Sequence, residues 1–556
     1  MKSVTHRLAV FTVLVSTAFL TAGSAKEPVQ SNPTASPPAE LDLGSHSFKV
    51  STRSGEAQRA FDRGLTLAYA FSHLAAEQEF RRAAEADPQC AMAWWGIALV
   101  NGPHINVPAV QAERAKIATE AVAKARELAP AAGKTEHELI EALGLRYRYP
   151  QPEDRAPLDQ AYAEAMRNVW KSNPENADVA TLCAEALMDL HPWDLWLNDG
   201  RPQPWTPEIV TALEQAIALN VNHPGANHLY IHAVEASAHP ERALAAADRL
   251  GGLVPGASHT VHMPAHIYAR LGRWEDAALA NQKAITADLL YRATYLRPGF
   301  YALYMAHNQH FLAYTAMMRG RGAEALENAR AMAAGVPANF VRDYPQIADG
   351  YVIFPSEVLL RFGRWEEVLA EPRPPAGLPL SNALWHFTRA AALNALDRPE
   401  DARLERDAFL VAAAAVPKQW TFGNNSATDL LAIATLVIEG EMAARDGRLE
   451  QSINSLSEAV RIQDTLRYDE PPDWIQPVRH TLGAVLLKAG RAAEAETVYR
   501  EDLAKYPENG WALFGLASAL RQKGDPEAPS VEARFVKAWA SADIRIASTC
   551  QCVPGT

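Results

Sequence analysis

Four cysteines in 556 residues are too few for a disulfide scaffold. Beyond residue 20 no apolar run approaches the roughly 20 residues that a membrane-spanning helix needs. There is no basic stripe: 53 Lys and Arg stand against 65 Asp and Glu, a net charge of −12, so electrostatics argue against nucleic acid as a partner. A phosphate loop, a dinucleotide fingerprint, a Gly-x-Ser-x-Gly elbow and a nucleophilic-cysteine context are also missing. Strand-type alternation is almost absent. What remains is 48% hydrophobic and 21% charged, the composition of a soluble, folded, helix-rich chain.

The N-terminus has the layout of a secretory leader. Lys2 and Arg7 precede an apolar run from Leu8 to Leu20, and Gly23-Ser24-Ala25 offers small residues for cleavage. Thirteen apolar residues are short for an anchor, and no cysteine follows them for lipid attachment. The expectation is a signal peptide over 1–25, then a mature chain in the periplasm or outside the cell, without membrane insertion. Loss of two basic residues and no acids takes the charge to −12 − 2 = −14. Residues 26–50, rich in Pro, Ser and Glu at their start, read as a flexible linker. Cys90 and Cys183 lie in apolar helical sequence and read as small buried hydrophobes. Cys550 and Cys552, in a tail over 542–556, fit a local disulfide, a soft-metal ligand pair, or no role.

From residue 51 to 541 helix, short turn and helix alternate. Gly64, Ala76, Phe80, Ala83 and Pro88 stand at offsets 0, 12, 16, 19 and 24, and Gly483, Ala495, Tyr499, Asp502 and Pro507 repeat the same offsets. Leu271-Gly-Arg-Trp-Glu-Asp-Ala277, Phe362-Gly-Arg-Trp-Glu-Glu-Val368 and Ala489-Gly-Arg-Ala-Ala-Glu-Ala495 each read as a helix end, a glycine turn and a new helix. The pattern resembles the tetratricopeptide repeat, a 34-residue helix–turn–helix unit. The resemblance implies an all-α solenoid of about eleven helix pairs, with insertions near 101–112, 148–158 and 191–207 and a long connection at 372–379.

Histidine is what the chain has in excess. Nine of its 17 histidines fall between residues 223 and 310, where an even spread would place 17 × 88/556, about 3. His228, His232 and Glu235 stand at i, i+4 and i+7; His259, His262 and His266 at i, i+3 and i+7; His307 and His310 three apart. Such offsets share one helix face. In the repeat the resemblance implies, Ala243 and Pro255 set residue 224 as position 1, Ala277 sets residue 258, and Ala325 sets the third unit. Seven histidines and Glu235 then occupy groove-lining positions on three neighbouring first helices. Glu357 and His480 map to such positions further along.

Imidazole is the commonest protein metal ligand. Pairs one helical turn apart, facing pairs on the next helix, can surround one ion. His228, His232, His259, His262, His266 and His307 are the candidate ligands of a divalent transition metal, Zn, Fe, Mn or Cu, since no Met or Cys supplies a soft donor. Glu235 is a candidate oxygen ligand or base, and His310 and Asp194 candidate catalytic groups. The zinc-protease pattern fails, because Leu229, Tyr230 and Ile231 stand between the two histidines and no Glu follows the first. Pro264 falls between His262 and His266 and removes a backbone donor, predicting a late start or a kink. Trp193, Trp196, Arg297, Tyr301 and Tyr304 are candidate substrate contacts. Asn101-Gly-Pro-His104-Ile-Asn106 forms another polar loop. Two functions follow: an exported metalloprotein, acting as a hydrolytic or redox enzyme on a small molecule, or a scaffold binding a peptide in the groove.

Overall fold

The computed structural model describes residues 41–295, 300–336 and 338–553. The leader expected over 1–25, and Arg297, lie outside them. Helix follows helix in antiparallel pairs from Gly55–Tyr69 with His73–Ala86 to Gly510–Lys523 with Ala528–Ala538. The strands among the described residues are a two-residue hairpin, Thr421–Phe422 with Asn425–Ser426. The chain is an all-α solenoid of helix pairs, as expected.

The recurring residues explain the pairing. Phe80 stands between Gly64 and Gly96: a Cβ on either glycine would come within 2.8 and 2.4 Å of its ring. Tyr499 stands in the same way between Gly483 and Gly515, at 2.3 and 2.2 Å. One bulky side chain on each second helix thus wedges between two first helices, which approach closely because they carry no side chain there. The turns are equally regular. Gly272, Gly363 and Gly490 adopt φ of +72°, +67° and +73°. The next residue's N–H then reaches back to a carbonyl of the last helical turn, as from Arg273 to Tyr268 at 2.8 Å and from Arg491 to Leu486 at 2.9 Å.

The array closes on itself. The Trp274 indole donates to the Pro507 carbonyl and the Trp511 indole to the Met317 carbonyl, each at 2.8 Å. The 191–205 insertion meets a second one that the repeat pattern did not predict, residues 466–477. Asn198 donates to Thr465 O at 3.0 Å and Arg467 to Trp193 O at 3.3 Å. The face expected to be an open groove is therefore largely interior. No described helix is long and apolar enough to cross a membrane.

Two expected boundaries shift. Residues 41–50 are not a free linker: Leu41, Leu43 and Val50 are buried, Asp42 O accepts from Gly256 N at 2.7 Å, and His46 meets Asp178 at 2.9 Å. Three apolar side chains spaced along this segment let it seat across the first helices, despite its polar average. The segment after 541 is likewise packed, with Asp543 capping Gly322 N at 2.7 Å and a Cys550–Cys552 disulfide buried near the end. Cys90 and Cys183 are free and buried.

Candidate metal centre

Three first helices carry the histidines. Pro224–Val234 starts with Pro224 at N1, behind a cap in which the His223 ring accepts from Ala226 N at 3.1 Å. The next first helix is interrupted at Met263: Ser258–His262 ends and Pro264–Arg270 begins, because Pro264 has no N–H to continue the ladder. Tyr301–Met318 is continuous. The predicted interruption has a consequence for the site. His259 falls with one group of histidines, and His262 and His266 with another.

The six candidate ligands form two triads. One ring nitrogen each of His228, His232 and His259 lies within 4.8 Å of the others, and so do those of His262, His266 and His307. The triads adjoin, with ring centroids of His232 and His266, and of His259 and His262, 6.0 Å apart. All of these rings are buried except that of His307, which is half-buried.

The other nitrogen of four rings is tied to an acceptor. His228 Nδ1 meets the Tyr69 carbonyl at 2.6 Å. His262 Nδ1 meets Asn281 Oδ1 at 2.7 Å, and the Asn281 amide nitrogen donates to Ala277 O, which fixes that amide's orientation. Glu235 serves two rings: His232 Nδ1 lies 2.8 Å from its Oε1 and His266 Nδ1 2.6 Å from its Oε2. Carbonyls and carboxylates only accept, so a hydrogen-bonded Nδ1 carries the proton, and a ring that is otherwise neutral presents a bare Nε2 lone pair.

Burial, and then the neighbouring imidazoles, hold the pKa values of His228, His259, His262 and His307 well below the ordinary histidine value. At His266 burial pulls down, but Glu235 outweighs it and the net direction is up. Burial would raise Glu235, yet His266 and His232 hold it well below the usual carboxylate range.

The result is an unusual contact. His262 Nε2 and His266 Nε2 are 2.8 Å apart, and His228 Nε2 and His259 Nε2 3.1 Å. In the first pair both nitrogens present lone pairs to each other, which is repulsive unless a cation lies between. Ligands at right angles on bonds of ~2.0–2.1 Å would stand about 2.9 Å apart. His232 Nε2, aimed into the same region, is buried with no hydrogen-bond partner.

Two strained aromatic residues enclose His232. Phe71 and Trp193 adopt φ of +55° and +58°, a region that costs bulky residues about 1–3 kcal/mol each. The Phe71 ring stacks on His232 at 6.0 Å and abuts His228 and His259; Trp193 meets His232 edge-on at 5.3 Å. Beyond Trp193 opens a cavity of about 290 Å³ whose lining includes Asp194, Trp196, His232, Glu235, Arg467 and Tyr468. The Tyr468 hydroxyl lies 2.5 Å from Glu470 and 3.3 Å from Glu235.

Other candidates fall elsewhere. Glu235 spans two imidazoles rather than standing free as a base. His310 belongs to neither triad; its ring packs edge-on against Phe354 at 4.6 Å, and burial lowers its pKa to about 3. Tyr301 is committed to a contact between helices, its oxygen accepting from His259 N at 3.1 Å. Tyr304 lies against the His259 ring at 4.4 Å and accepts from Asn106, so the 101–106 loop backs the site. Asp194 and Trp196 line the cavity, Asp194 holding Gln203 at 2.9 Å and Trp196 donating to Ala233 O at 2.7 Å.

Sequence reading missed Tyr69, Phe71, Asn281, Arg467, Tyr468 and Glu470. Asn281 sits on a second helix, with no signal to mark it. The 466–477 loop did have one: twelve residues is longer than most helix–helix connections.

Neither a family model nor a curated protein matches the sequence. Among solved structures the chain is similar to the human IFIT1 dimer with PPP-AAAA, at 12% identity over 86% of this chain and 90% of that one, with a TM-score of 0.30. It is similar also to the APC/C hetero-tetramer Cut9–Hcn1, at 13% identity over 89% and 76%, with a TM-score of 0.29. Similarity of this degree assigns neither ligand nor partner.

Proposed function

We propose that this chain is an exported metalloprotein with two adjoining three-histidine sites, and that it acts as a metal-dependent enzyme on a small molecule entering the 191–198 cavity. The His262–His266 contact carries the reading. Two Nε2 atoms 2.8 Å apart, with His262 Nδ1 bonded to Asn281 and His266 Nδ1 in an ion pair with Glu235, need a proton or a metal ion between them. A shared proton would answer for that pair alone. It leaves the buried Nε2 of His232 without a partner, and gives no reason for a third ring in each triad.

Three protein nitrogens leave coordination positions for water or substrate, as in catalytic sites. Neutral ligands preserve the ion's charge, so Zn, Fe, Mn or Cu held here would polarise a bound oxygen or lower the pKa of bound water. The protein's own residues supply the rest. Glu235, outside both triads, orients one histidine of each and makes its Nε2 a better donor. Phe71 and Trp193 exclude water around His232. The cavity gives access past Trp193 and Trp196. Export rests on the Met1–Ala25 leader and agrees with a disulfide at Cys550–Cys552.

Elemental analysis of untagged protein tests this reading. About two equivalents of one transition metal per chain are expected. The melting temperature should fall with chelator and recover on reloading, since a metal bound only to the native state stabilises it. Metal-free protein whose melt ignores Zn²⁺, Fe²⁺, Mn²⁺ and Cu²⁺ would overturn it in favour of a peptide-binding scaffold.

A further inference from the structure

A second group of reactive side chains lies away from the histidines, under the chain's end. The last described segment is held by Asp543, whose carboxylate caps Gly322 N and Ala323 N, and by Thr549, which donates to His480 O at 2.6 Å. Just beyond, Cys550 and Cys552 are bonded to each other. Their sulfurs and a carboxylate oxygen of Glu441, on helix Ala427–Arg445, lie within 4.8 Å of one another.

Two features argue against a purely structural bridge. A disulfide between residues two apart closes a very short loop, so it constrains the unfolded chain little. Glu441 is 3% exposed, one of its oxygens has no hydrogen-bond partner, and no cation offsets its burial. An uncompensated buried carboxyl costs stability and is kept only in neutral form. Burial alone raises its pKa to about 8. Its other side faces a cavity of about 30 Å³, shared with Glu357 and Gln476. Burial raises Glu357 to about 8 as well, and Gln476 Oε1 lacks a partner. The cavity is otherwise mainly apolar, but these three side chains and Thr481 give a water its partners, and the volume admits one.

We propose that Cys550–Cys552 is an exchangeable redox couple, with Glu441 as its proton carrier and a dithiol as its partner. A partner thiolate attacks Sγ of Cys552, 8% exposed against 2% for Cys550. The S–S bond breaks and its electron pair leaves on Cys550. A thiolate there is buried, which makes it a poor leaving group unless it is protonated as it departs. Glu441 delivers that proton and regains one through the small cavity. The partner's second thiolate then attacks the partner sulfur of the mixed disulfide, closes the partner's own disulfide and expels Cys552, which takes a proton from solvent. Two electrons and two protons pass from the dithiol to the chain. In the reverse direction Glu441 is the base.

The test equilibrates the folded, full-length chain with mixtures of reduced and oxidised dithiothreitol. The samples are quenched with iodoacetamide, and the Cys550/Cys552 peptide is weighed. One reversible two-electron transition is expected below any unfolding, with Cys90 and Cys183 protected throughout. Glu441→Gln should slow reduction by roughly tenfold or more, as loss of a general acid does. The wild-type rate should fall in D2O, a readout that stands even if the variant does not fold. Reduction only upon unfolding would overturn the proposal. So would a wild-type rate indifferent to D2O, or a folded Glu441→Gln chain reduced within twofold of the wild-type rate.

Discussion

His266 and His480 are both buried histidines on first helices of one repeat architecture, and both map to the groove side. His480 is satisfied at both nitrogens: Arg361 donates to Nδ1 at 2.8 Å, and Nε2 reaches Asp502 at 2.9 Å. Its carbonyl is covered by the chain's own Thr549. His266 has Nδ1 in an ion pair with Glu235, outside hydrogen-bond geometry, and its other nitrogen faces a second imidazole. Position in the repeat does not separate a structural histidine from a candidate ligand. The partner of the second nitrogen does. In the C-terminal repeats that partner is an acid, whereas around His266 it is another donor aimed at the same place.

The sharpest way to break this contrast is to truncate both. His266→Ala should remove the metal of its triad, visible as the loss of about one equivalent in elemental analysis, with the fold intact. The repeat spreads stability over many interfaces, and Glu235, which loses one of its two imidazoles, stays paired with His232. His480→Ala should leave the metal content unchanged. It strands Asp502 and Arg361 in the interior, and should cost about 3 kcal/mol of stability in denaturant titration. Equal effects of the two variants on metal content would remove the distinction.

Glu235 sharpens it further. Glu235→Gln keeps one acceptor and the shape, but no charge. Loss of a partner behind the ligands should weaken metal affinity about 10–100-fold, and at both sites together, because the one carboxylate supports His232 and His266. Competition titration with a chromophoric chelator measures this. Weakening at one site alone would show that only one of the two contacts persists in solution.

The smallest effect concerns the acids of the C-terminal repeats. Glu235 is held ionised by its histidines, while Glu357 and Glu441 have no such company. Their ordinary pKa of 4.5 is raised to about 8 by burial. The folded chain therefore holds more protons than the unfolded one between those values. The stability tied to these protons is full below pH 4.5 and is lost as pH rises through 8. The buried histidines, held below their ordinary pKa of 6.5, add a rise of opposite sign up to that pH, so the readout is the difference: from pH 5 to pH 8 the melting temperature of Glu441→Gln should gain on that of the wild type, without a gain at pH 5. An identical pH slope in the variant would show that Glu441 is not desolvated in solution.

Much of the site was legible because its signals are local. Imidazoles at helical offsets betray a shared face in any helix, and Pro264 announces a break wherever it falls. Glu235 was legible as a participant but not in its role, which depends on the orientation of two rings from different helices. His310 has the same spacing from His307 as a ligand would, yet rotates onto Phe354, and only the position of that neighbour decides it. Asn281 and Tyr69 act through atoms that many residues at those places could offer, so nothing in their identity marks them.

By itself the sequence determined the all-α repeat, its glycine turns and the face on which the histidines stand. Those features depend on contacts within one helix pair or between adjacent pairs, and a period of some thirty residues records them. Tertiary structure alone decided that six histidines divide into two triads sharing one carboxylate, that the 466–477 loop closes over them, and that Cys550 and Cys552 lie buried beside Glu441. The reason is cumulative. Each repeat adds a small rotation, and where the array meets itself depends on the sum of them all.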